Sequence, residues 1–179
     1  MKKQLAIVFA AALVAVAAVG CSKKTEVTTE EKSETQIANP WTEVDSADAA
    51  AEGAGVGYFT VPENRQYGEV TIYISDYHYM EGIAEADGLL GSADLKIRKG
   101  LKQNSEDISG DYNNYSVNWT FEVDGFTIRC SGNEDGKIRK AIWVSDNFSY
   151  SINVTGQGED SDTFGPDEET IKLLVQAIQ

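Results

Sequence analysis

The clearest pattern in the chain is an alternation of apolar and polar residues in its last third. Apolar side chains occupy every second position in three segments: Tyr115, Val117, Trp119, Phe121 and Val123; then Phe126, Ile128 and Cys130; and later Phe148, Tyr150, Ile152 and Val154. Strict period-two alternation is typical of strands with one face on the core and the other in water. With a further strand over 138–144 and turns at Asp124-Gly125, 133–136 and 145–147, four consecutive strands predict an antiparallel meander.

The segments that precede the meander are shorter and less regular. An alanine-rich run after Ser46 predicts a short helix over 46–54, with Ser46 as its N-cap. In the strand predicted at 93–99, Leu95 and Ile97 are expected to face inward. Clean alternation of apolar and polar residues predicts a strand over 69–75, with Val70, Ile72 and Ile74 on one side. Further early strands are predicted at 56–62, closed by Pro62, and at 79–86.

A C-terminal amphipathic helix completes the predicted elements. Pro166 is placed at its first helical position, and the acidic run 167–169 favours the positive end of the helix dipole. The apolar stripe of this helix consists of Ile171, Leu174, Val175 and Ile178. We therefore predict an α+β fold: an antiparallel sheet made of the four-stranded meander and two to four earlier strands, with a short N-terminal helix and a C-terminal helix packed on the sheet.

The N-terminus carries the features of a secretory signal. Lys2 and Lys3 precede an apolar run over 5–19, which is short for a membrane-spanning helix of roughly 20 residues. The sequence Ala18-Val19-Gly20-Cys21 resembles the bacterial lipobox, in which a cysteine follows small residues, although Ala18 stands where that family usually has leucine. The resemblance implies cleavage after residue 20 and lipid attachment to Cys21. An ordinary signal peptide, with Cys21 left as a free thiol, is the alternative.

These features divide the chain into three parts. Residues 1–20 form the predicted signal peptide, 21–38 the lipidated cysteine and a flexible polar tether, and 39–179 a single α+β domain. A lipid anchor on Cys21 would hold the domain at the outer, extracytoplasmic face of the cell membrane.

Charge and cysteine content limit the functional classes. The formal net charge of −14 excludes nucleic acid as a partner, because an acidic surface repels the phosphate backbone. The sequence has two cysteines, so lipidation of Cys21 leaves Cys130 with no intrachain disulfide partner. Cys130 lies on the apolar side of a predicted strand and is expected to be a buried small hydrophobe.

The candidate chemistry of the chain is sparse. His78 is the only histidine, so a zinc site has few ligands to draw on. Oxygen-rich segments at 107–111 and 160–162 lack the full pattern of a calcium-binding loop. Paired carboxylates are abundant in so acidic a chain and do not by themselves indicate a hydrolase. We therefore predict no catalytic residue, no metal ligand and no cofactor.

Three tyrosines are the strongest candidates for a binding surface. Tyr73, Tyr77 and Tyr79 exceed what the core needs if Val70 and Ile72 already face it. An exposed row of tyrosines could bind a glycan strand, a peptide or an acyl chain. The alternative is that a second layer of the protein covers these rings.

A family resemblance joins several of these segments. The segments are Asn39-Pro40-Trp41, the alanine-rich helix running into Gly57-Tyr58-Phe59-Thr60-Val61-Pro62, Leu95-Lys96-Ile97-Arg98-Lys99 followed by Asp107-Ile108-Ser109-Gly110, Ala141-Ile142-Trp143 with Tyr150-Ser151-Ile152, and the final helix. Over 39–179 this resembles an uncharacterised extracytoplasmic domain of lipoproteins and membrane-tethered, anti-sigma-type proteins of Gram-positive bacteria. The resemblance implies a cell-envelope role and transfers no catalytic residue.

Three functional hypotheses follow. The first is a non-catalytic, membrane-anchored binding or protein-interaction module of the bacterial envelope, whose partner is an envelope protein, a glycan or a hydrophobic ligand. The second is a carrier or sensor that holds a lipid in a cavity between sheet and helix. The third is an envelope hydrolase that uses carboxylates.

Overall fold

The computed structural model describes residues 39–67, 69–133, 136–158 and 164–179. In these ranges the chain forms two helices, α1 (Ala47–Ala54) and α2 (Glu168–Ala177), and nine strands. The strands are β1 (Thr42–Val44), β2 (Gln66–Tyr67), β3 (Val70–Met80), β4 (Ile83–Leu90), β5 (Ala93–Leu101), β6 (Val117–Val123), β7 (Phe126–Gly132), β8 (Ile138–Ser145) and β9 (Phe148–Thr155). Antiparallel strands with two helices confirm the predicted α+β class.

Several predictions lie outside the described residues. They concern the signal peptide, Cys21, the tether up to residue 38 and the acidic segment 160–162. Neither helix in the described part of the chain has the length and apolar content that crossing a bilayer requires.

The strands follow the order β1-β3-β4-β5-β9-β8-β7-β6, with β2 paired to β3. Strands β6 to β9 are joined as a meander, and the described ranges hold five strands before it, one more than the upper number predicted. Strand β5 pairs with β9 rather than with β6. The connecting segment 102–116, which we call the crossing loop, therefore has to pass β9, β8 and β7 to reach the far edge of the sheet.

Both helices contribute to one hydrophobic core on the face of the sheet that we call the inner face. The predicted stripe of α2 is buried in this core, as are Leu95 and Ile97 of β5. One continuous row of this face crosses six strands: Tyr77, Ala86, Ile97, Ile152, Ala141 and Cys130. Each buried large apolar side chain on this face contributes roughly 1.5–3 kcal/mol to stability.

The helix ends are fixed by side-chain caps. The Ser46 hydroxyl accepts a hydrogen bond from the Ala49 amide (3.2 Å), as predicted for the start of α1. At α2 the cap is Asp167, whose carboxylate accepts from the Thr170 amide (2.8 Å). Pro166 thus precedes the helix instead of occupying its first turn, and the prediction was wrong by two residues.

Two predicted strands were also wrong. The segment 56–62 is irregular, although Phe59 and Val61 are buried in the core, and Thr60 exchanges backbone hydrogen bonds with Gln179. The segment 79–86 contains a tight turn between β3 and β4, in which Gly82 has a φ of 78°. The apolar content of both segments indicated burial. The backbone path of 56–62 depends on its pairing with the C-terminus, and that of 79–86 depends on the turn at Gly82.

Candidate functional site

The face of the sheet opposite the helices, which we call the outer face, is polar and partly covered by the crossing loop. Inside the loop, Ser105, Asp107, Ser109 and Asp111 each accept a hydrogen bond from the backbone amide two residues further on. Sheet side chains donate to carbonyl oxygens of the loop: Ser149 to Ser105 (2.7 Å), Arg98 to Ile108 (2.9 Å), Asn153 to Ser109 (2.9 Å) and Lys140 to Asp111 (3.3 Å). The loop is thereby a fixed part of this face.

The oxygen-rich segment 107–111 is in contact with a lysine side chain of β8. Lys140 Nζ lies 3.3 Å from Asp107 Oδ2 and 3.3 Å from the Asp111 carbonyl oxygen. Burial raises the pKa of Asp107, but hydrogen bonds from Ser109 and the charge of Lys140 outweigh it, so the pKa lies below its ordinary value. A lysine ammonium therefore supplies the positive charge that a calcium ion would otherwise bring to these oxygens.

Next to the crossing loop lies a network of four charged residues. Glu85 faces Arg98 across the β4–β5 pair, and Asp87 faces Lys96. Lys96 Nζ lies 2.8 Å from a carboxylate oxygen of each acid, while Arg98 Nε contacts Glu85 and its guanidinium lies 5.0 Å from the centre of the Trp41 ring. The arrangement places two carboxylates against two cations on one patch of the outer face.

The two acids of this network are shifted in opposite directions. Burial raises the pKa of Glu85, but its contacts with Lys96 and Arg98 outweigh burial and hold the pKa below its ordinary value. For Asp87, burial together with the charge of Glu85 outweighs the bond from Lys96, so the pKa is raised. The Glu85 side chain is only 4% exposed, and Asp87 is the acid that solvent reaches.

His78 adds a third candidate metal ligand to this patch. Its Nδ1 atom lies 3.2 Å from Asp87 Oδ2, and the ligand atoms of His78, Glu85 and Asp87 lie within 4.8 Å of one another. Lys96 and Arg98 already neutralise both carboxylates, so a divalent cation would have to displace two bound cations. The donor set does not fit a metal centre.

A groove of about 640 Å³ opens beside this network. One row of cross-strand partners in the groove spans four strands: Tyr73 is paired with Leu89, Leu89 with Asp94, and Asp94 with Thr155. Asp87, Lys96 and Asn153 form the adjoining row. The groove therefore has one aromatic ring, one aliphatic side chain and several polar groups on a floor of paired strands.

Two side chains of the groove have acceptor positions that the described residues do not fill. Asn153 donates from Nδ2 to the Ser109 carbonyl, and its Oδ1 atom is buried and accepts no hydrogen bond from the described residues. Asp94 accepts at Oδ1 from Gln157 Nε2 (2.6 Å). A carboxylate has about four acceptor positions, so Asp94 retains capacity for a ligand.

The predicted tyrosine row is not a row in the structure. A break in the β3–β4 register between Ile74 and Asp76 shifts the alternation by one residue, so Tyr73 points outward while Tyr77 and Tyr79 point to the core. Tyr77 is buried with its hydroxyl donating to Glu63, and Tyr79 lies beneath Gly53 of α1. Only Tyr73, which is 53% exposed, lies in the groove.

The inner face contains one residue that sequence analysis missed. Lys99 of β5 is fully buried, and its ammonium lies 3.8 Å and 4.4 Å from the ring centres of Tyr58 and Phe148. Burial lowers the pKa of Lys99. A second recess, of about 420 Å³, lies between the start of α2 and the β3–β4 edge and is lined by Val70, Leu90 and Leu173 together with charged groups.

The chain was also compared with known proteins. No protein-family model, no curated protein and no solved structure matches it. The resemblance to the extracytoplasmic domain of Gram-positive lipoproteins therefore stays a prediction, and function has to be inferred from the geometry of the outer face.

Proposed function

We propose that this protein is a lipoprotein of the bacterial envelope, anchored by lipid on Cys21, whose folded domain is a non-catalytic binding module. The groove around Tyr73 is its ligand site. The observation that carries the proposal is an exposed aromatic ring in a groove that also contains acidic and hydroxyl side chains, all on strands of one sheet. Binding sites combine apolar surface with a few convergent polar groups in this way.

The rigidity of the groove supports a binding role. Its floor is formed by β3, β4, β5 and β9, which are hydrogen-bonded in that order, with one register break between β3 and β4 after Ile74. The Glu85–Arg98 and Asp87–Lys96 pairs fix one wall, and the bond from Asn153 to Ser109 fixes another. A preformed site loses little entropy when a ligand binds.

A carboxylate-dependent hydrolase is the second candidate. Asp87 lines the groove with a raised pKa while the pKa of the neighbouring Glu85 is lowered, and such divergence is typical of acid–base pairs. Against this, Glu85 lies beneath Lys96 and Arg98, where a substrate would not reach it. A lipid carrier is supported only by the recess beside α2, whose lining mixes apolar with charged side chains.

Nuclear magnetic resonance titration of the chain beginning at residue 22 tests these candidates. This chain retains the whole core, which lies within the described residues. The probes are soluble wall glycan fragments, a short cationic peptide and a short-chain phospholipid. We expect one probe class to shift the amides of Tyr73, Leu89 and Asp94 without being cleaved. Shifts at Val70 and Leu173 instead would favour the carrier, cleavage products would favour the hydrolase, and an unchanged spectrum with every probe would contradict a binding module.

A further inference from the structure

We infer that the groove on the outer face binds an uncharged, polyhydroxylated sugar segment, with one sugar ring stacked on Tyr73. The inference rests on the proposed binding function and names the ligand class of that site. It follows from three properties of the groove: its aromatic surface, its unsatisfied hydrogen-bonding positions and its charge.

The aromatic surface is a single ring of the size that one sugar unit covers. Tyr73 is 53% exposed and lies directly opposite the half-buried Leu89 across the β3–β4 pair. The ring lies on the outer side because Tyr73 alternates with Ile72 and Ile74, which are both buried on the inner face. A flat ring on a fixed strand suits the C–H face of a pyranose, whose other edges remain polar.

The polar groups along the groove suit a ligand that both donates and accepts hydrogen bonds. Asn153 lies on β9, three strands and roughly 14 Å from Tyr73, and its Oδ1 atom is buried and takes no hydrogen bond from the described residues. Asp94 accepts from Gln157 at one oxygen and retains acceptor capacity. The Thr155 hydroxyl, opposite Asp94, donates and accepts. Sugar hydroxyls match this mixture because each one is both a donor and an acceptor.

The charge of the groove disfavours anionic ligands. Its lining includes two carboxylates, Asp87 and Asp94, against one ammonium, Lys96, which is shared with Glu85. In a chain of net charge −14 an anion would be repelled. A strongly cationic ligand would compete with Lys96 for Asp87, leaving Asp94 as its main counter-ion.

The lining of the groove disfavours an acyl chain, and its two central strands disfavour an added peptide strand. Both β4 and β5 are paired on each side, whereas residues 73–76 of β3 have a strand partner on one side alone within the described residues. An acyl chain would bury the charged groups of Asp87 and Lys96 against hydrocarbon. An uncharged hydroxylated ligand satisfies all of these constraints.

The test is a titration of the chain beginning at residue 22 with two uncharged oligosaccharides, chitotriose and maltotriose, and with trilysine, followed by amide shifts. We expect at least one sugar to shift the amides of Tyr73, Asp94 and Asn153. Tyr73→Ala should weaken that binding by about tenfold, while Tyr73→Phe, which keeps the ring, should bind like the wild type. Tyr112→Ala is the matched control, because Tyr112 is 94% exposed outside the groove.

The outcomes separate this inference from the proposed function. Sugar binding that Tyr73→Ala leaves unchanged would overturn the stacking geometry and the inference with it. Binding of trilysine in the groove without sugar binding would overturn the sugar class but retain the binding module. If no probe shifts a groove residue, both the ligand class and the groove as a binding site are wrong.

Discussion

Lys99 donates a hydrogen bond of 2.6 Å from its ammonium to the backbone carbonyl oxygen of Tyr58, and the whole Lys99 side chain is buried. The ring of the same tyrosine covers the ammonium at 3.8 Å. Lys99 comes from the middle of the sheet and Tyr58 from the irregular segment after α1, so the bond fastens that segment to the inner face. Aromatic faces and one carbonyl compensate only part of the cost of burying a charge.

This burial predicts a pH-dependent stability. The pKa of Lys99 is lowered in the folded state from 10.5, so over the interval below 10.5 the unfolded chain binds more protons than the folded chain. Stability therefore rises with pH in that interval. We expect urea unfolding of the wild type to gain stability relative to Lys99→Met as the pH rises from neutrality towards 10.5. A difference that is independent of pH would contradict the prediction.

Lys172→Met is the control for this experiment. Lys172 lies at the surface of α2 with its side chain 36% exposed, and its hydrogen bond to Glu168 raises its pKa instead of lowering it. The stability that the charge of Lys172 contributes would be lost only above pH 10.5. Between neutrality and pH 10.5 the wild type should therefore gain no stability relative to Lys172→Met.

Glu85 is expected to be the most sensitive acid of the outer face. Glu85→Gln keeps the side-chain volume but leaves Arg98 and Lys96 without the carboxylate that both contact. Breaking a buried ion pair from one side costs about 3 kcal/mol. Chemical denaturation should show this loss, whereas Glu168→Gln, which breaks the solvent-screened pair with Lys172, should change stability far less. Equal effects of the two substitutions would show that the network does not stabilise the fold.

Gly88 is required by the close approach of β3 and β4 at the register break. A Cβ at this position would lie 2.0 Å from the Tyr73 carbonyl oxygen and 2.9 Å from Ile74 Cα. Both atoms belong to the backbone, so neither can move aside without disturbing the strand pair. We expect Gly88→Ala to destabilise the domain by about 3 kcal/mol, measured by thermal and urea unfolding. Ser92→Ala, in the exposed turn that follows, should stay within about 0.5 kcal/mol of the wild type; a comparable loss there would contradict the steric explanation.

The meander was predictable because each of its features is local. Alternation marks β6, β7 and β9, and Asp124-Gly125 adopts the positive φ angles that its turn requires. The features that were not predicted depend on contacts between residues far apart in the sequence. Ser149 and Ser151 occupy the polar positions of β9, yet both are buried, because the outer face at this position lies beneath the crossing loop. The alternation of one strand contains no information about a loop that returns over it.

The groove was missed for the same physical reason. Tyr73, Leu89 and Asp94 are aligned by the pairs β3–β4 and β4–β5, and Asn153 joins this surface only through the long-range pairing of β5 with β9. The register break after Ile74 then decides which tyrosines face solvent, and no turn residue marks it in the sequence. Tyr73 was predicted to belong to a row of three exposed tyrosines. In the described part of the structure it is the one aromatic residue of a groove whose polar groups come from three other strands.

The remaining prediction concerns the anchor, on which the proposed location depends. Cys21 follows small residues at the expected cleavage site, and the sequence has one other cysteine, Cys130. Cys21→Ala should abolish incorporation of labelled fatty acid, because the substitution removes the thiol that would carry the lipid. Cys130→Ala is the matched control: burial, helped by the charge of Glu168, raises the pKa of Cys130 to about 12, so its thiol stays protonated and unreactive. Label that persists in Cys21→Ala but disappears in Cys130→Ala would refute the assignment, because the acylated thiol would then belong to the folded domain.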